Sequence, residues 1–345
     1  MKVWQNRFLA ISLAAAFVLT VTTQANADRR TGLHGNALIK DVTDIAAFPQ
    51  AAADYKNLVR IDMGGSNAWF VVGDDSATYG VKATASDANH PTVLDMVYAM
   101  PLGADALGVG LSLGMGGVTP ADGDASSDMA IGLDVGYTMT GMNLETALSI
   151  DMNNTDDGSG DNTTSAMSIG LSARGYHNLG EATDLGYMFG FNMDNNSQTV
   201  GGNDGPSSSA MQVALGAGPV YKMDKGQVAA YGTLNFESDT QSAPDTDDVS
   251  TSSLGFPGFL VSAEVSLTDS LIWRGGASYG YSSDTAADES SSASGSYGWS
   301  SGLGYKWDKF QLDGAVDSGF YNRGPNFISG ASGDLFTHVT ASYSF

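Results

Sequence analysis

The sequence predicts an all-β fold: a transmembrane antiparallel up-and-down β-barrel of about 16 strands, with 14 as the alternative. Three observations predict it. From Leu94 onward, apolar residues alternate with small or polar ones in segments of about ten residues, the length a tilted strand needs to cross a bilayer. Short turns and long polar connectors alternate between these segments. No segment after the N-terminal leader reads as a membrane-spanning helix, and 44 Gly with 42% hydrophobic residues suit a sheet with one face in lipid and one in water.

The leader comes first. Lys2 and Arg7 precede an apolar run from Phe8 to Val21, and Ala25-Asn26-Ala27 follows it. This order of basic, apolar and small residues predicts a secretory signal peptide over residues 1–27, cleaved after Ala27. Its removal takes two positive charges from a chain of formal charge −23, leaving −25. So acidic a chain excludes a general electrostatic footprint for nucleic acid. Cysteine is absent, which excludes a disulfide framework and thiol chemistry.

Residues 28–54 come next and contain Ala37-Leu38-Ile39, Ile45-Ala46-Ala47-Phe48 and Ala51-Ala52-Ala53. These apolar clusters point to a plug folded into the lumen, with a periplasmic tail as the alternative. The barrel itself is expected over residues 55–345. Tyr55 to Gly64, Ser66 to Gly73, Ala77 to Ala85 and Thr92 to Met100 read as its first strands. Further along, Met129, Ile131, Leu133, Val135, Tyr137 and Met139 alternate with Ala130, Gly132, Asp134, Gly136 and Thr138, and the pattern recurs down the chain. Even the uncharged run from Ala106 to Ala121 reads as a strand, because five glycines interrupt it and Leu107, Val109, Leu111 and Leu113 alternate.

Connectors set the orientation. Short turns are expected at Pro101 to Asp105, Thr140-Gly141, Asn178 to Thr183, Asp224 to Gly226, Thr268 to Ser270 and Asp308-Lys309. Long acidic loops are expected at Gly116 to Ser127, Asn153 to Thr163, Asn195 to Ser208, Asp239 to Ser253, Ser283 to Ser294 and Asn322 to Gly333. In membrane barrels the short turns face the periplasm and the long loops face outward. Aromatics gather near both ends of the strands, among them Tyr98, Tyr137, Tyr176, Tyr221, Trp273 and Trp307 at one level and Phe191, Phe236, Tyr279 and Tyr297 at the other. Two such levels predict interfacial girdles around an apolar band.

The last strand carries the most specific motif. In Asp334 to Phe345, Leu335, Thr337, Val339, Ala341, Tyr343 and Phe345 share one largely apolar face, while Phe336, His338, Thr340, Ser342 and Ser344 share the other, largely polar one. A chain ending on Phe345, with Tyr343 and Val339 on the same face, resembles the terminal strand by which bacterial outer-membrane β-barrel proteins are recognised for assembly. The resemblance covers nearly the whole mature chain in pattern, and it points to no subfamily. It implies a porin-like barrel in the outer membrane of a Gram-negative bacterium, with outer-membrane lipid and the barrel-assembly machinery as partners. A homo-oligomer is compatible with it, although almost every strand carries an outward apolar face and none stands out as a protein contact.

By strand parity the inward charges include Asp95, Asp134, Glu145, Asp151, Glu264, Asp313 and Asp317, with basic Lys82, Arg174, Lys222, Arg274 and Lys306. Small and charged inward residues imply a wet interior, so these residues are expected to line a pore. They would either set a transverse field across it or pair along the wall. The function this predicts is passive diffusion of small hydrophilic solutes, cations favoured. The alternatives are a plugged barrel carrying an apolar ligand and a non-conducting structural or adhesive surface barrel. No catalytic motif, cofactor signature or metal-ligand spacing is present: His34, His90, His177 and His338 stand apart from any nucleophile or carboxylate dyad.

Overall fold

The computed structural model describes residues 28–62, 67–84, 92–117, 125–158, 161–244, 246–285, 291–317 and 338–345. The expected signal peptide, residues 1–27, and the expected loop Asn322 to Gly333 lie outside these residues. Sixteen strands form one closed sheet in sequence order, every neighbouring pair antiparallel. They are β1 (Leu58–Asp62), β2 (Asn67–Gly73), β3 (Thr78–Thr84), β4 (Thr92–Leu102), β5 (Asp105–Gly116), β6 (Ser127–Met139), β7 (Leu144–Asp156) and β8 (Thr163–Asn178). Then follow β9 (Thr183–Val200), β10 (Asn203–Met223), β11 (Gly226–Ser242), β12 (Val249–Ser266), β13 (Leu271–Thr285), β14 (Ser291–Trp307), β15 (Phe310–Asp317) and β16 (His338–Ser344).

Sixteen, not fourteen, closes the sheet, because β1 pairs with β2 on one side and β16 on the other. Leu58 lies opposite Ser344, and the Phe345 N–H donates to the Asn57 carbonyl at 2.9 Å. Closure removes the free edges that a flat sheet would leave unpaired in lipid.

Period-two alternation sorts the side chains as lipid requires. On β6, Ile131, Leu133 and Val135 are exposed on the outer face, while Gly132 and Gly136 are buried on the inner one. On β14, Leu303, Tyr305 and Trp307 point outward and Ser300 inward. The terminal face follows the same rule. Tyr343 and Phe345 are exposed outside, and the Phe345 ring stacks on Phe70 of β2 with centroids 5.8 Å apart.

Two expectations need correction. The Asn195 to Ser208 stretch is no loop: β9 runs to Val200 and β10 starts at Asn203, joined by Gly201 and Gly202, both at positive φ. Two consecutive residues at positive φ fit the tight hairpin turn that matches strand twist, and glycine takes that conformation without steric cost. The flanking Asn, Ser, Thr and Gln residues belong to strands that outrun the apolar alternation. In the same way β11 reaches Ser242 and β13 reaches Thr285. Tyr176 also leaves the aromatic girdle assigned to it. It lies on the inner face of β8, where its hydroxyl donates to the Leu38 carbonyl at 2.9 Å.

The chain before β1 lies within the ring of strands. It begins with α1 (Asp28–Gly32), passes through two 3-10 segments, Val42–Ala46 and Pro49–Tyr55, and turns into β1 through Asn57, at φ 58°. Its apolar residues form two clusters with the inner wall. Val42, Ile45, Phe48, Ala51 and Ala52 pack on Trp69, Val71, Val97, Ala99 and Ala147. Leu33, Leu38 and Ile39 pack on Val220, Ala229 and Tyr231, across the barrel. Each fully buried aliphatic side chain here contributes roughly 1.5–3 kcal/mol relative to exposure.

Candidate functional site

Glycine makes the seat for this segment. A Cβ on Gly136 would collide with the Gln50 amide oxygen, and one on Gly108 would collide with the Gln50 backbone nitrogen. At Gly186 a Cβ would come within 2.8 Å of Leu38, and at Gly276 and Gly298 within 2.6 Å and 2.8 Å of His34. At Gly108 and Gly276 the wall meets backbone of the segment and at the other three its side chains, a closeness that no larger residue permits. Polar contacts fix the register: Ser262 donates to the Leu33 carbonyl at 2.5 Å, Gln50 donates to Thr146 O at 3.3 Å, and His34 Nε2 lies 2.7 Å from Ser278 Oγ.

Charged groups then link the segment to the wall as one network. On the β12–β15 side, Arg29 donates to both carboxylate oxygens of Glu264, at 2.8 and 3.0 Å. Glu264 also accepts from Arg274 at 2.7 Å, and Arg274 reaches Asp313 at 2.5 Å. Arg29 turns its other nitrogen to Asp41 at 2.8 Å. Asp41 meets Arg60 of β1 at 3.4 Å, and Arg60 meets Asp62 at 3.0 Å. On the β7–β8 side, Asp44 pairs with Arg30 and accepts from Arg174 at 2.8 Å. Arg174 bonds Glu145 at 2.9 Å, and Glu145 accepts from Lys40 at 2.8 Å. The Phe48 ring lies under the Arg174 guanidinium at 5.0 Å.

Two carboxylates organise the inner half of this network. Asp41 caps the first 3-10 segment, accepting from the Thr43 N–H, and Asp44 accepts back from the Asp41 N–H at 3.0 Å, a capping box. Burial by itself would raise the Asp41 pKa. Arg60, Arg29 and Arg30 outweigh it and hold the carboxyl far below the ordinary range. Arg29 is likewise held charged, because Asp41 and Glu264 outweigh the burial that opposes its charge. Buried charges persist only when paired and hydrogen-bonded, and the geometry here supplies both.

The predicted pore residues therefore fall into separate groups. Glu145, Arg174, Glu264, Arg274 and Asp313 meet the N-terminal segment or one another. Asp95 pairs with Lys82 at 3.2 Å, and Lys222 pairs with Asp184 at 2.6 Å. Lys306 is exposed near the short turn after β14. Asp134 and Asp151 face inward on the long-loop side of the segment and make no ion pair among the described residues. Asp317 ends β15 opposite Ser300, and its side chain lies outside the described residues.

On that long-loop side the inner wall turns acidic. One register row runs Asp95, Ser112, Gly132, Asp151, Ser168, Asp194 across β4 to β9. The row beside it runs Asp134, Ser149, Gly170, Asn192, Gln212, Glu237, Ser253, Asp284 across β6 to β13. Glu237, Asp239 and Asp284 border a cavity of about 380 Å³ between the tall hairpins, lined otherwise by Ser and Thr.

The partners of these wall charges were not legible in the sequence. Arg29, Arg30, Lys40, Asp41 and Asp44 of the network precede the barrel, out of reach of strand parity, whereas Arg60 and Asp62 stand on β1 and were absent from the expected pore lining. One signal was available: apart from Arg7 and Arg323, every arginine of the chain takes part in the network. Among the described residues no group of three or more His, Asp or Glu side chains is placed to hold a metal ion.

No protein-family profile matches the chain, and no curated protein matches it. Solved structures do resemble it. The TodX monoaromatic hydrocarbon channel deltaS2 mutant aligns with a TM-score of 0.45 at 12% identity, covering 93% of this chain and 97% of that one. The CymD monoaromatic hydrocarbon channel aligns at 0.43 and 12%, covering 92% and 97%. BauA, the ferric preacinetobactin receptor of Acinetobacter baumannii, aligns at 0.44 and 8%, covering 83% and 61%. A closed antiparallel barrel of sixteen strands, apolar outside and polar within, is the architecture of bacterial outer-membrane β-barrel proteins, and this chain has that fold.

Proposed function

We propose that the protein is a gated outer-membrane channel for small hydrophilic solutes, with cations favoured and residues 28–55 as its resident plug. The mature chain begins after Ala27, the short turns face the periplasm, and the tall hairpins face the exterior. The observation that carries this reading is the division of charge inside the barrel. At the level of the plug the networked charges balance, six cations (Arg29, Arg30, Lys40, Arg60, Arg174, Arg274) against six carboxylates (Asp41, Asp44, Asp62, Glu145, Glu264, Asp313). Beyond it, towards the exterior, the inner wall offers Asp134, Asp151, Asp194, Glu237, Asp239 and Asp284, while Lys82 is committed to Asp95. A funnel lined by one sign of charge concentrates counter-ions, and so favours cationic solutes at the entrance.

An apolar cargo fits this interior less well, since the two register rows beyond the plug consist of Asp, Glu, Asn, Gln, Ser and Gly. The apolar inner surface lies in the two clusters that the plug itself covers. The test is conductance in planar bilayers across a salt gradient. The intact protein should show rare, low-conductance steps with a cation-selective reversal potential, and a variant that unseats the plug should conduct steadily. Silence from both would favour a non-conducting surface barrel.

A further inference from the structure

Methionines face one another across the outer surface of β5–β10. Met115 lies opposite Met129 in the β5–β6 hairpin, Met152 opposite Met167 in β7–β8, and Met193 opposite Met211 in β9–β10. All six are exposed, from 40% at Met167 and Met211 to 73% at Met115. They also stand within about 10 Å of one another in height. Eight residues separate Leu144, where β7 begins, from Met152, and twelve separate Met211 from Met223, where β10 ends. The other four fall between these limits. With a rise of about 3.3 Å per residue and a tilt of about 40°, ten residues climb roughly 25 Å, the height of the apolar band.

On β12–β14 the opposed outer residues toward the same end are Phe259, Tyr279 and Tyr297. Amphipathic rings anchor a barrel at the membrane boundary because one end is apolar and the other accepts water. A thioether has no such polar end. As an anchor, methionine offers nothing that leucine would not. What sulfur adds is a nucleophilic lone pair that accepts oxygen.

We propose that these six methionines form an oxidant-consuming belt at the outer boundary of the membrane, with hydroperoxides as the substrate class. The sulfur attacks one oxygen of ROOH. The O–O bond breaks, an S–O bond forms, the proton passes to the departing oxygen, and ROH leaves, which is water when the oxidant is hydrogen peroxide. Sulfur is oxidised to the sulfoxide and the peroxide is reduced. The fold accommodates the product, because all six side chains lie outside both buried clusters and a polar sulfoxide at the boundary meets headgroups and water. The peroxide could arrive from the aqueous phase or from oxidised lipid beside the barrel, and the chemistry is the same.

The full-length protein, assembled in phospholipid vesicles, is exposed to hydrogen peroxide in one arm and to a phospholipid hydroperoxide within the bilayer in the other. Peptide mass spectrometry follows each methionine. The six belt sulfurs should oxidise several-fold faster than Met96, which is outward but only half exposed, and Met188, which faces the lumen, in at least one arm. The arm in which they lead identifies the source. Heat-modifiable mobility of the barrel should persist after oxidation, and methionine sulfoxide reductase should restore the original masses. A variant with all six changed to leucine should consume less peroxide per molecule. If that variant does not assemble, Met152→Leu with Met167→Leu tests one pair. Oxidation of the belt no faster than Met96 and Met188 in either arm, or loss of the folded barrel as the belt oxidises, would overturn the proposal.

Discussion

Arg174, on the inner face of β8, donates to Asp44 at 2.8 Å across 130 residues of sequence, and the same carboxylate pairs with Arg30. One side chain thus joins the N-terminal segment to itself and to the wall. The side chains involved are at least 93% buried, so neither guanidinium has water in reserve should the carboxylate be lost.

Asp44→Ala should therefore loosen the plug. Removing one partner of a buried pair leaves the other charge uncompensated, typically a cost of about 3–5 kcal/mol. The barrel strands do not depend on this carboxylate, so the variant should assemble and conduct more often than the parent. Planar-bilayer recording beside a heat-modifiability gel separates the two effects, and unchanged conductance in a well-assembled variant would count against the plug.

Gly136→Val tests the seat by overfilling it. The new side chain occupies the position of the Gln50 amide, and overpacking of this kind costs about 1–3 kcal/mol. Open probability should rise. Gly280→Ala is the comparison, since its nearest neighbour would be Ser296 Oγ at 3.4 Å, an ordinary contact, and its conductance should match the parent.

Acid should release the plug only well below neutrality. The Asp41 carboxyl is depressed by Arg60, Arg29 and Arg30, so its contribution to plug binding is fully present above the ordinary carboxylate range. It is lost as pH falls from about 4 toward the lower pKa of the folded state. Tryptophan fluorescence should register this, because Trp69 is buried against the segment. Release that is complete at pH 6 would show that another group controls the plug.

At the C-terminus, assembly and stability should separate. Deleting Phe345 should reduce the amount of protein reaching the outer membrane. Phe70→Ala, which removes the stacked partner but keeps the terminal residue, should lower thermal stability by about 1 kcal/mol while leaving that amount unchanged. Membrane fractionation with quantitative immunoblotting distinguishes them, and equal losses from both variants would contradict the separation.

Fold class and the facing of each crossing segment were determined by the sequence alone, for a local reason, while closure of β1 on β16 decided sixteen strands over fourteen. Lipid on one side of the wall and lumen on the other impose a period of two on each crossing segment, so Ile131, Leu133 and Val135 declare their face within five residues. The alternation fades where the hairpins leave the bilayer, because water then lies on both sides; hence Asn195 to Ser208 reads as loop although it is strand. Only the tertiary structure decided what fills the barrel. Ala37-Leu38-Ile39 and Phe48 announce a need for burial, yet nothing periodic connects Asp44 to Arg174, Arg29 to Glu264, or Gln50 to Gly136. Those pairs exist because the closed sheet brings distant strands around one interior, where each buried charge must find its partner in space and not along the chain.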